Sequence, residues 1–367
     1  VSGADYAARR ARLGHLLGGR ALDAALVTSL VNVRYLTGLA SSNAALLVRV
    51  DGSAVLATDD RYAQAARRDC PGVSVAVERR VGAGLVALAA ASELRRLGIE
   101  RHDVTLATSD GLNEAAGETL VLTDLGEAVE SLRAEKDPGE VALVARACAV
   151  ADAALREVLE RGLGGRSEAE VARDLEARML LGGAEAVAFE SIVAAGPNGS
   201  VPHHSPGARV IERGDLVTID FGARVEGYHS DCTRTVAVGE PADWQREVYA
   251  VVQAAQQAGL LALAPGASTV AVDRAARAVV EDAGYGEAFT HGLGHGVGLV
   301  IHEPPWLSAS EAAAATLAGR STLTVEPGIY LPGRGGVRIE DTVDVAGDHD
   351  GGVQVLTRTT KNLLVVD

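Results

Sequence analysis

The chain has 367 residues, 34 of them Lys or Arg against 49 Asp or Glu, for a formal charge of −15, and 47% are hydrophobic. The length suggests two domains with ample apolar material for packed cores, while so negative a charge opposes both the phosphate neutralisation of nucleic-acid binding and the approach to an anionic membrane. The first residues contain no apolar leader and no run nears the roughly 18 apolar residues of a membrane helix, so a soluble, cytoplasmic protein is expected. Cys70, Cys148 and Cys232 lie far apart and form neither a CxxC pair nor a disulfide framework. With aromatics at 3%, no stacking platform for single strands is expected either.

In chain order, the first third alternates apolar runs (from Ala24, Ala44, Ser53 and Val73) with helical segments such as the one from Arg61. Strands interleaved with helices predict a small α/β domain over residues 1–132. At the boundary, Asp137, Pro138 and Glu140 make a helix N-terminus: a capping acid, proline in the first turn and a capping-box partner. The predicted helix runs to near Gly162. Ser167 and Glu170 repeat the pattern for a second helix, ending at Gly182 and Gly183.

Beyond it the period changes to two, and Gly214–Gly239 reads as a β-hairpin. The order then recurs. Asp243 is expected to cap a third helix reaching Pro265, another begins near Val270, and a second β region runs from Leu323 to Val345. Eighty-three residues separate Asp137 from Asp220, and 83 separate Asp243 from Glu326. Residues 133–367 thus read as an α+β domain with an internal duplication, although the halves share negligible sequence identity.

Acids in the two β regions are the first chemical signal. A turn at Glu226 and Gly227 sets Asp220 opposite Thr233 and places Asp231 on the same face, one diagonal step of about 7 to 8 Å away. Two carboxylates so placed can converge on a pair of metal ions. A one-residue change of turn length would separate them, and two aspartates on an exposed sheet face remain the plain alternative. Glu326 precedes a proline, which suits a strand end. Glu340 lies two positions after Arg338, on the same face of an extended segment. A solvated hairpin with an Arg to Glu pair is the plain reading here, and it sits badly with the apolar neighbours Val325, Ile329, Val337 and Ile339, since buried acids need cationic partners.

Histidines give the second signal, with six of nine between residues 203 and 302: His203, His204, His229, His291, His295 and His302. His291 and His295 have the spacing of a helical zinc site, but the four glycines at 292, 294, 296 and 298 each cost a helix about 1 kcal/mol relative to Ala. In an extended segment the two lie about 13 Å apart, so one ligates and the other faces substrate. Other motifs fail. The DFG at Asp220 has no kinase companions, GLGHGVG misplaces the third glycine of a dinucleotide loop, there is no Walker lysine or GxSxG elbow, and Cys232 has no cationic surroundings evident in the sequence.

The blocks DFGARVEGYHSDCTRT, HGLGHGVGLVIHE, TVEPGIY and GGVRIEDT, with VRYLTGL and ATDDRYAQA near the N-terminus, resemble the pita-bread metallopeptidases: aminopeptidase P, Xaa-Pro dipeptidase and, more distantly, methionine aminopeptidase. The resemblance covers nearly the whole chain, including a creatinase-type N-terminal domain. It implies a dinuclear site in which Asp231 and Glu340 bridge two divalent ions, Asp220 binds one, and His295 with Glu326 bind the other. Manganese is usual in the family, and cobalt or zinc suits the same donors. A water on such ions titrates near neutrality and attacks the scissile carbonyl, with Glu326 shuttling the proton.

By the same resemblance His203, His291 and His302 line the substrate pocket, and Arg338 orients a ligand carboxylate near Glu340. His204 is the neighbour that a one-residue shift would exchange for His203. The activity implied is a metal-dependent Xaa-Pro aminopeptidase acting on proline-containing peptides, with a strict Xaa-Pro dipeptidase as the nearest alternative. A metal-free creatinase-like hydrolase and a noncatalytic binding module are more remote, because the five ligand positions are intact. A homodimer is implied as well.

Overall fold

The computed structural model describes residues 4–345 and 352–367. The chain divides into two compact units, 1–133 and 134–367. The first contains α1 (Tyr6–Gly19), β1 (Ala24–Val27), α2 (Leu30–Thr37), β2 (Ala44–Arg49), β3 (Ala54–Thr58), α3 (Asp60–Asp69), β4 (Ser74–Val77), α4 (Val81–Ala90), β5 (Arg96–Ile99), α5 (Leu106–Ala116), β6 (Val121–Asp124) and α6 (Ala128–Ala134). Its six strands form one sheet in the order β4-β3-β2-β1-β5-β6. The apolar runs from Ala24 and Ala44 are its central strands, with Leu26, Leu46 and Leu47 buried. Continuous burial on both faces is why they read as runs rather than as alternation.

The second unit begins with α7 (Pro138–Glu160) and α8 (Glu168–Leu181). Both start at the expected capping boxes, Asp137 with Glu140 and Ser167 with Glu170. Then come β7 (Ala186–Val187), β8 (Ile192–Ala195), β9 (Leu216–Phe221), β10 (Ala223–Val225), β11 (Tyr228–His229) and β12 (Cys232–Val238). The second half repeats the order with α9 (Asp243–Ala262), α10 (Thr269–Asp282), β13 (Gly294–Gly296), β14 (Glu303–Leu307), β15 (Thr322–Val325), β16 (Gly328–Leu331), β17 (Gly335–Arg338), β18 (Asp341–Asp344), β19 (Gln354–Val355) and β20 (Val365–Val366). One helix start differs from expectation. Asp243 is the first helical residue of α9, and Gln245 instead accepts from the backbone N–H of Ala242 at 2.8 Å.

Each half packs its two helices on one face of a mainly antiparallel sheet; in the first, β20 adds a parallel edge to β12. Val217, Ile219 and Phe221 of β9 join Leu155, Leu175 and Met179 of α7 and α8 in one core. Leu323, Val325 and Val343 join Val248, Val252 and Val280 of α9 and α10 in the other. Strand alternation then sends Thr218 and Asp220, and across the ladder Thr235 and Thr233, to the opposite face. The segment joining β17 to β18 crosses that face, where Glu340 N–H donates to Thr233 O at 3.1 Å and Arg338 N–H to Thr235 Oγ1 at 3.2 Å.

Candidate metal centre

The hairpin register is the one that the turn predicts. Asp220 pairs with Thr233, Arg224 pairs with His229, and Glu226 and Gly227 both have positive φ, at 50° and 87°. The ladder is nevertheless broken at Gly222 and at Ser230–Asp231. At Gly222 a Cβ would sit 2.0 Å from Ser230 O, so only glycine lets the strands cross so closely. Asp231 therefore lies in the break, where Thr342 Oγ1 holds both its N–H (3.2 Å) and its carbonyl (2.7 Å).

The second half delivers the remaining groups. Glycines let β13 thread against its neighbours: a Cβ on Gly294 would lie 2.1 Å from Thr324 O. Thr324 Oγ1 receives the His295 N–H at 3.0 Å and donates to Glu326 Oε1 at 3.2 Å. As a result Asp231, His295 and Glu340, all buried, present ligand atoms within 4.8 Å of one another. His295 Nε2 is 3.4 Å from Glu326 Oε1 and 3.6 Å from Asp231 Oδ2. Asp220 approaches from β9, with Oδ2 2.6 Å from Arg338 Nη2.

Protonation shows what this cluster is suited to hold. His295 Nδ1 lies 3.0 Å from Gly296 O, so the ring donates there and turns its Nε2 lone pair toward the carboxylates. Burial lowers its pKa to about 4, leaving the ring neutral at pH 7. Burial, then the charges of Glu340, Asp220 and Glu326, push Asp231 well above the ordinary carboxylate range. Glu340 is raised by burial and then by Glu326 and Asp220, and Glu326 reaches about 8, chiefly through burial. Asp220 Oδ1 and Glu340 Oε1 are buried without a hydrogen-bond partner. A neutral nitrogen acceptor facing crowded anionic oxygens, two of them orphaned, fits multivalent cations, and an imidazole whose other nitrogen donates to a carbonyl is the usual form of a metal ligand.

Beside the cluster opens a cavity of about 760 Å³ lined by His203, His204, His291, His302, Trp306 and Tyr330, among others. His302 and His203 are exposed in it, and the His302 ring meets that of His295 edge to face at 4.4 Å. His291 is engaged differently. Its Nδ1 lies 2.7 Å from Gly292 O and its Nε2 2.9 Å from Tyr330 OH, which in turn accepts from Arg338 Nη1 at 2.9 Å. His204 Nε2 is 2.8 Å from Glu168 Oε2.

Residues 142–346 match the model of metallopeptidase family M24, and residues 9–134 match the creatinase/prolidase N-terminal domain. The chain belongs to family M24. It is a peptidase with the family's pita-bread fold. This M24 peptidase is 38% identical over 359 residues to the uncharacterized peptidase YqhT of Bacillus subtilis, covering 97% of this chain and 99% of that one. Among solved structures, an Xaa-Pro dipeptidase from Bacillus anthracis superposes with a TM-score of 0.92 at 34% identity, over 99% of this chain and 100% of that one. An X-Pro aminopeptidase from Thermotoga maritima gives 0.87 at 32% identity, over 97% and 100%.

Asp231, His295 and Glu340 of the M24 peptidase thus come together, Glu326 lies against His295, and Asp220 lines the same cavity as His203, His291 and His302. Arg338 lies on Asp220 and Thr233, and Thr233 in turn donates to Glu340 Oε2 at 2.7 Å. Tyr330 was not singled out from sequence, although it closes TVEPGIY and bridges His291 to Arg338. The buried pair Lys136 and Glu303, 2.8 Å apart, also went unread, because 167 residues separate the partners. The only signal was rarity: Lys136 is one of two lysines in the chain.

Proposed function

We propose that this M24 peptidase removes the N-terminal residue from peptides with proline in second position, using two divalent cations held by Asp220, Asp231, His295, Glu326 and Glu340. The observation that carries the metal reading is the neutral His295 Nε2 turned toward acids whose crowding raises their pKa values. Four carboxylates balance the charge of two such ions, and the oxygen-rich donors suit manganese, with cobalt or zinc as substitutes. When bound, the ions supply Lewis acidity and an acidified water.

The chain's own groups do the rest. Glu326 carries the proton of the attacking water to the proline nitrogen, which must be protonated to leave. His302 and His203, exposed on the cavity, donate to substrate oxygen as charge develops. His291 and Tyr330 fix Arg338, and Arg338 holds Asp220 in place.

Peptide length divides the two nearest readings. A strict dipeptidase must seat the substrate's own carboxylate, and among the described residues lining the cavity the sole guanidinium or ammonium is Arg338, already bonded to Asp220. That favours substrates extending past proline. The dipeptidase reading is favoured by the names of most relatives, among them the Bacillus anthracis structure and the Xaa-Pro dipeptidases of Pyrococcus furiosus and Pyrococcus horikoshii. Assays of Gly-Pro dipeptides beside Xaa-Pro-Pro tripeptides decide between them: cleavage of dipeptides alone would defeat the aminopeptidase reading. A metal-free hydrolase or a binding module predicts no bound metal, whereas this proposal predicts near two ions per chain and loss of turnover with chelator. The family resemblance also supports a cytoplasmic homodimer, testable by sedimentation.

A further inference from the structure

The segment 195–207, which carries His203, is organised by one buried carboxylate. Glu168, the first residue of α8, is fully buried yet accepts from Ala195 N–H (2.8 Å), Asn198 Nδ2 (2.9 Å), His204 Nε2 (2.8 Å) and Gly207 N–H (3.2 Å). A carboxylate without water is tolerated only with such a set of donors, and the helix N-terminus adds favourable charge. Burial alone would raise its pKa; the four bonds outweigh burial and lower it. Farther along the segment, Pro202 O accepts from Arg338 Nη1 at 3.3 Å. At Gly199 a Cβ would lie 3.1 Å from Gly336 N, which seats the segment on the strand leading to Arg338. His203, His291 and His302 line the same cavity.

We propose that Glu168 and His204 form a positioning pair for His203: the carboxylate clamps both ends of the segment, and His204, tied back to it, leaves the adjacent His203 facing the cleft. The two histidines then have distinct duties, one toward substrate and one toward the scaffold. In its activity arm the proposal rests on the peptidase reading above; its structural arm does not.

Kinetics of His203→Ala, His204→Phe, His204→Gln and the double variant His203→Ala/His204→Phe on an Xaa-Pro-Pro tripeptide test it. Displacing a substrate contact by about 1 Å costs on the order of a hundredfold, so His204→Phe should lower kcat/KM roughly ten- to a hundredfold, in kcat more than in KM. His204→Gln, which keeps a donor, should restore most of it. The double variant should be no worse than His203→Ala. Multiplying losses, or a fully active His204→Phe, overturn the proposal. A crystal structure of His204→Phe should show His203 drawn away from His302, and an unmoved His203 overturns it as well. If wild type cleaves no Xaa-Pro peptide the functional reading fails, and that crystal structure still decides this one. Should His204→Phe not fold, Glu168→Gln breaks the same contact and is judged by the same criteria.

Discussion

Removing one negative charge from the acid cluster should stabilise the metal-free protein while destroying the metal-loaded enzyme. Ligand atoms of Asp231 and Glu340 lie within 4.8 Å, where two unit charges repel by about 3.5 kcal/mol at an effective dielectric of ~20. Without cations the protein relieves this by keeping protons. Glu326 is raised from 4.5 to about 8, so its contribution to metal-free stability is complete below pH 4.5 and disappears as pH climbs through 8. In chelator, wild type should melt lower at pH 8 than at pH 5. Asp231→Asn should flatten that slope and melt higher at pH 8. A gain of about 3 kcal/mol in a unit spanning residues 134–367 corresponds to a rise of roughly 6 to 12 °C. With manganese the order should invert, because an amide does not offset cationic charge as a carboxylate does, and turnover should vanish. Scanning fluorimetry with and without metal, beside a tripeptide assay, reads all of this. A wild type in chelator whose melting point ignores pH, with no gain from Asp231→Asn, would refute the crowding argument.

Arg338→Met leaves the Asp220 carboxylate without its guanidinium and frees Tyr330. Breaking a buried pair from one side costs about 3 to 5 kcal/mol, so lower metal occupancy and at least tenfold lower kcat/KM are expected by metal analysis and steady-state kinetics. Lys136→Met strips the ammonium from Glu303, whose side chain is 4% exposed. A loss of similar size in urea melts is predicted, and the double change Lys136→Met/Glu303→Leu should recover much of it; an unaffected single variant would contradict the assignment. Gly294→Ala forces a Cβ to 2.1 Å from Thr324 O, so soluble protein should have a free energy of unfolding lower by about 3 kcal/mol and weakened metal binding, since β13 carries His295.

Local signals carried the architecture far. Asp137 and Ser167 cap their helices as read, because a capping box is complete within four consecutive residues. The Glu226 and Gly227 turn set a register in which Asp220 faces Thr233, since turn length alone fixes pairing across a hairpin. Asp243 misled, as capping geometry depends on where the chain enters the helix, and Gln245 serves that end instead. The strand break that frees Asp231 was not legible, for it depends on how closely Ser230 crosses Gly222.

The sequence by itself determined the element order and the repeated helix-helix-hairpin plan, because caps, turns and strand alternation are written in neighbouring residues, whereas the five expected ligand positions were legible only through the resemblance of whole blocks to a known family. Which imidazole nitrogen faces the acids, how His204 is tied to Glu168, and where Arg338 rests were decided only by tertiary structure. Those outcomes depend on groups such as Gly296 O, Glu168 and Thr233 arriving from distant parts of the chain, and burial then sets the charge each one carries.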